Sequence, residues 1–163
     1  LPNMFGVRRV AMSKDLLTPF TDAASQTFKL LLDLDVTTEV DDADQQGEGD
    51  KEKVNILIEI TGDLSGEVMY SFPKDTTLEM VKIMSGMEFN EIDEFVKSAL
   101  GEIANIISGN AMTGLSQSQM LCNILPPKIV QEDYPDNADG CVIYRSKVKT
   151  AIGDVELNLR MVK

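Results

Sequence analysis

Ser98, Glu102, Asn105 and Pro127 form a Ser-x3-Glu-x2-Asn-x21-Pro pattern that starts inside a strongly helical stretch and ends beyond it. Spacings of three and four put side chains on one helix face. Ser98, Glu102, Asn105 and Gly109 therefore make a stripe of polar and small residues. One carboxylate and one carboxamide on that stripe suit gripping a cation and orienting a water. The carboxylate accepts strong charge-assisted hydrogen bonds, and the carboxamide accepts and donates without titrating. A Glu and an Asn at this spacing are, taken alone, ordinary solvated surface worth tenths of a kcal/mol. The four-point spacing is more demanding, with a chance occurrence on the order of a few in a thousand at ordinary residue frequencies.

The helix that must hold the stripe is legible on either side of it. Ile92, Phe95, Val96, Ala99, Ile103, Ile106 and Ile107 form a second, apolar stripe centred roughly 100° away, which predicts a helix buried on one side. Asn90 is the predicted N-cap, with Glu91, Asp93 and Glu94 placing negative charge in the first turn. Gly114 and the Ser-Gln-Ser-Gln run after it predict a stop near Gly114. Gly101 and Gly109 flank the candidate site and each cost ~1 kcal/mol of helix stability relative to Ala; close approach of another backbone would explain them.

Thr18-Pro19 reads as an N-cap followed by Pro at the first helical position, opening a helix to about Leu32. Residues 34–40 are a short strand candidate, and residues 41–53, with six acids, read as a solvated, mobile hairpin loop. Residues 54–60 and 67–72 are β-rich runs around a Gly-containing turn, an antiparallel hairpin. Residues 76–84 make a short helix with Leu78, Val81 and Ile83 inward and Ser85-Gly86 as its stop. After the key helix, residues 120–130 are extended but interrupted by Pro126-Pro127, and residues 141–148 and 152–161 alternate well enough for a second hairpin. Helices clustered between runs of strands predict an α+β domain, a single layered unit with a largely antiparallel sheet and helices packed on one face.

Composition narrows the chemistry. The chain has 163 residues, 43% of them hydrophobic, enough for one domain with a proper core. A net charge of −12, no Trp and 6% aromatics argue against nucleic acid, which needs clustered Lys and Arg or stacking platforms. The absence of histidine rules out His-based acid–base and nucleophile-activating chemistry and His-containing zinc sites. Cys122 and Cys141 are not a CxxC pair and read as core thiols in a reducing cytosol. No apolar run approaches the ~18 residues of a membrane span, so the expectation is a soluble cytoplasmic protein. Residues 1–11 have Arg8-Arg9 but neither a long apolar core nor a signal cleavage site. They read as a poorly ordered leader, leaving residues 12–163 as the domain with Met12 as its candidate start.

The stretch from Ser98 to Asn110, together with Pro127, resembles the signature helix of the CheX/CheC/FliY family of bacterial chemotaxis phosphatases, in which Asp or Ser is followed by Glu, Asn and a distant Pro. Leu17-Thr-Pro-Phe20, Leu64-Ser-Gly-Glu-Val68 and Ile124-Leu-Pro-Pro127 are also family-like. The resemblance implies a CheX-like fold and hydrolysis of the aspartyl phosphate of a CheY-like response-regulator receiver domain. Within it Asn105 would orient the water, Glu102 would pair with the regulator's lysine, and Ser98 would either contact the regulator or leave room for it. Pro127 would shape the chain after the helix. No cofactor is expected in this chain; Mg²⁺ is expected in the receiver. Double-site relatives carry a second Glu-x2-Asn, but here Glu79 is followed by Lys82 in place of Asn, so one site per chain is expected. Single-site relatives pair, which implies a homodimer. The alternative is a non-catalytic module that binds or sequesters a phosphorylated receiver.

Overall fold

The computed structural model describes residues 16–41, 52–131 and 140–162. The leader read over residues 1–11 and most of the acidic segment lie outside them. Helix α1 (Leu17–Leu32) is followed by β1 (Thr37–Asp41), β2 (Lys53–Gly62) and β3 (Gly66–Pro73), then by α2 (Lys74–Ser85) and α3 (Glu94–Gln117). Two short strands, β4 (Cys122–Ile124) and β5 (Lys128–Val130), precede the long hairpin β6 (Cys141–Thr150) and β7 (Gly153–Val162).

The strands form one sheet in the order β1-β6-β7-β3-β2-β4, with β5 beside β4 on β2 and every pairing antiparallel. Side chains alternate faces along a strand, and the register aligns the inward ones. Ile56 lies opposite Tyr70, which lies opposite Leu157, and Ile58 is followed across the sheet by Val68 and Leu159. That layer shares one core cluster with Phe20, Ala24 and Phe28 of α1, Met80 of α2, and Leu100, Ile103 and Ile107 of α3. The α+β reading and both hairpins stand.

Several local expectations are corrected. Helix α1 begins at Leu17, with Leu16 as an N-cap that offers no side-chain hydrogen bond. Thr18 is therefore not the cap, and Pro19 is the third helical residue, where a missing N–H is still harmless. It ends at Asp33 in the left-handed conformation, and the strand starts at Thr37, later than expected. β1 pairs with β6 and β2 with β3, so the acidic segment does not close a hairpin; it joins strands that have three others between them in the sheet. In α2 the buried positions are Thr76, Thr77, Met80 and Val81, and Ile83 is exposed. Helix α3 is capped by Asp93, whose Oδ1 accepts from Val96 N at 2.9 Å, in place of Asn90, and it runs past Gly114 to Gln117.

The buried face of α3 is rotated from the predicted stripe. Val96, Leu100, Ile103, Ala104, Ile107, Ser108 and Ala111 are buried, whereas Phe95 is 56% exposed. Two devices fix the helix on the sheet. Tyr70 and Ser108, both buried, share a hydroxyl–hydroxyl hydrogen bond at 2.8 Å. Past the helix, Asp63 in the β2–β3 turn accepts from Leu121 N at 2.7 Å through Oδ2, and its own N–H donates to Leu121 O at 3.0 Å. The polar face of α3 is thereby held at the β2 edge.

Candidate functional site

Ser98, Glu102 and Asn105 line a groove of about 610 Å³ between α3 and the edge of the sheet. Glu94, Lys97 and Gly101 complete the helical wall; Ile56, Ile124, Leu125, Pro126, Pro127 and Ile129 form the apolar wall opposite. The groove exists because the edge of the sheet is broken. β4 pairs with Ile60 to Gly62 and β5 with Asn55 to Leu57, leaving Leu125 to Pro127 between them. Two prolines cannot donate to a ladder, so this stretch must leave it. Leu125 N still donates to Glu59 O at 3.0 Å, which ties the departing chain to β2.

The distant proline of the pattern is brought to the helix. A Cβ built on Gly101 would lie 3.6 Å from Pro127 Cγ and 3.9 Å from its Cβ, ordinary van der Waals contact. Gly101 thus faces the proline wall within this chain. Gly109 does not meet a neighbour: a Cβ there finds nothing within 4 Å, so the expected close approach is absent inside the described chain. Its surface is open.

Glu102 and Ser98 are exposed and Asn105 is half-buried. Among the described residues, the side chains of Glu102 and Asn105 have no hydrogen-bond or ion-pair partner. A carboxylate and a carboxamide are thus left free one turn apart, beside an apolar wall that excludes water on one side. Lys97 is paired with Glu94 at 3.6 Å; with Glu94 almost fully exposed, that contact contributes little to stability. The helix beneath is rigidly placed. Ser108, one turn after Asn105, carries the Tyr70 bond, and burial pushes the Tyr70 phenol above its ordinary range while the Ser108 hydrogen bond opposes the shift.

All four residues of the pattern therefore line one groove, while Gly109 continues the open face beyond it. Lys97, Glu94 and the apolar wall were not foreseen as groove residues. Glu94 precedes Ser98 by one turn, so the angular argument could have found it; Lys97 lies roughly 100° round the helix, and the wall depends on strand pairing far apart in sequence.

A family model described as "Chemotaxis phosphatase CheX" matches residues 54–143, more than half of the chain. The CheY-P phosphatase CheX of Thermotoga maritima is 39% identical over 75 residues, 45% of this chain and 48% of that protein, so the match spans about half the length of that relative. Among solved structures, chemotaxis protein CheX from Vibrio vulnificus superposes with a TM-score of 0.76 at 20% identity, covering 90% of this chain and 99% of the other. A CheX–CheY–BeF3–Mg²⁺ complex from Borrelia burgdorferi gives 0.71 at 20% identity, covering 90% and 97%. The fold is that of these proteins, and by the match over residues 54–143 the chain belongs to the CheX family of chemotaxis phosphatases.

Proposed function

We propose that this protein is a phosphatase that accelerates hydrolysis of the aspartyl phosphate of a CheY-like receiver domain, with one Glu-x2-Asn site per chain. The observation that carries the reading is the unpartnered pair Glu102 and Asn105 on the open face of a rigidly anchored helix. An acyl phosphate is already labile, so the protein needs only to admit and aim a water. The Asn105 oxygen accepts from that water and its nitrogen donates to a neighbouring oxygen. Water attacks phosphorus in line, the bond from phosphorus to the aspartyl oxygen breaks, and inorganic phosphate leaves a regenerated carboxylate. Glu102 pairs with the receiver's lysine and fixes the docked register. Ser98 leaves room for the incoming surface, and Pro127, packed over Gly101 of the helical wall, shapes the opposite lip.

This chain needs no metal or histidine for those roles; Mg²⁺ belongs to the receiver and offsets the phosphoryl charge there. The similarity to a protein named CheY-P phosphatase and to a CheX solved with CheY supports the choice of partner. No helix of the described residues is long and apolar enough to cross a membrane, in keeping with a cytoplasmic place of action. Two copies pair, supported by a sheet edge at β1 that is unpaired among the described residues and where Val40 is 74% exposed. The test is to mix the protein with a panel of acyl-phosphorylated receivers and follow phosphate release. Catalytic release from at least one receiver is expected; binding without turnover would make it a sequestering module.

A further inference from the structure

Phe95 heads the face that carries the site. It lies seven residues before Glu102, two turns and roughly 10 Å along α3, at an angular offset of about 20°. A single exposed Phe needs no explanation. Here, however, it belongs to a group: Ile83 and Met84 at the end of α2 and Met87 in the connector are exposed as well. The ring is also held in place. Phe89 stacks on it at 5.3 Å with planes 11° apart, a Lys82–Glu88 ion pair at 3.2 Å ties the connector back to α2, and the Asp93 cap fixes the first turn of α3. A preorganised aromatic beside flexible methionines is the composition of an interface anchor.

We infer that Phe95, backed by Phe89 and flanked by Met87, is a specificity-determining anchor for the same receiver domain, taking an apolar spot rimmed by basic residues on the receiver. The inference rests on the proposed function and adds a contact away from the reacting atoms. Continuity selects the occupant, because a domain laid over Glu102 and Asn105 also covers Phe95, whose helical neighbours Glu94, Lys97 and Ser98 line the groove. Charge argues against a second copy at this patch. Residues 82–97 carry Glu88, Glu91, Asp93 and Glu94 against Lys82 and Lys97, and with Glu88 and Glu94 paired to those lysines the patch keeps an excess of negative charge, so self-docking would bring like charges together.

The test is titration with a beryllofluoride-loaded CheY-like receiver that the unsubstituted protein binds, beside steady-state phosphate release from the phosphorylated form. Phe95→Ala should weaken binding and raise KM roughly ten- to thirtyfold with kcat unchanged, the mark of lost uniform binding. Phe95→Leu should recover most of the loss, and Met87→Ser, on an exposed position, should weaken binding severalfold with circular dichroism unchanged. Parent-like affinity of both Phe95→Ala and Met87→Ser, while Asn105→Ala still abolishes turnover, would overturn the anchor and leave the catalytic reading standing. Conversion of a dimer to a monomer by Phe95→Ala at unchanged receiver affinity would assign the patch to a second copy. Failure of the parent protein to bind any receiver would sink both readings.

Discussion

Gly109→Ala should move stability and docking in opposite directions. Gly109 sits in the interior of α3 with ordinary helical backbone, and a Cβ there meets nothing within 4 Å. The substitution therefore adds helix propensity with no intramolecular clash, a gain of about 1 kcal/mol. For a chain of 163 residues that raises Tm by roughly 2–4 °C. On the docking side the same methyl stands on the open face one turn beyond Asn105. Wedging a methyl into a close backbone approach costs about 1–3 kcal/mol, which corresponds to roughly a 5- to 150-fold loss of receiver affinity. Differential scanning calorimetry of the protein alone and titration with a beryllofluoride-loaded receiver separate the two effects. A higher Tm with unchanged affinity would show that no partner backbone comes near Gly109. An unchanged or lower Tm would refute the open-space argument itself.

Glu102→Ala should weaken docking and turnover together, whereas Glu102→Gln should lose less affinity at high salt, where the charge contribution is screened; equal activity of both variants with the parent would place the contact elsewhere. Burial holds the Tyr70 phenol protonated in the folded state while the unfolded chain releases that proton near pH ~10. The contribution of Tyr70 to stability is thus fully present below that pH and declines as pH rises beyond it, and Tyr70→Phe should give a shallower alkaline fall in the urea midpoint. An identical fall in both proteins would contradict this. Gly153→Ala should destabilise by roughly 2–4 kcal/mol, since φ is +134° and the new Cβ would overlap Thr76 Oγ1; a urea midpoint like the parent's would show that the turn relaxes freely.

The parts of the fold that were legible are those set by local chemistry. Alternating apolar residues around Gly-containing turns specified the hairpins β2–β3 and β6–β7, and the spacing of Ser98, Glu102 and Asn105 specified one helical face. What escaped depends on contacts distant in sequence. Nothing in residues 34–40 says that β1 pairs with β6, because a five-residue strand can complete any open edge. Phe95 lies on the predicted apolar stripe, yet the connector 86–93 turns back to stack a half-buried Phe89 on it and leaves the Phe95 ring exposed. Ser108 is polar and falls outside the predicted apolar stripe; only its hydrogen bond to Tyr70, 38 positions earlier, makes burial tolerable. Asp93 takes the cap from Asn90 because its carboxylate reaches Val96 N, and Asn and Asp are near-equal N-cap residues that only the backbone path distinguishes.

The assignment of Asn105 to the hydrolytic water is tested most directly by Asn105→Ala, measured as phosphate release from a phosphorylated receiver with receiver binding followed in parallel. The side chain lies off the buried face of α3, so the fold and its circular dichroism should be retained. Removing one aimed hydrogen-bonding group from a preorganised site lowers turnover by roughly a hundred- to a thousandfold, while Glu102 and the surrounding face still dock the receiver. Loss of turnover with binding preserved is the predicted result. Full turnover by a correctly folded Asn105→Ala protein would contradict the account and leave α3 as a docking surface alone.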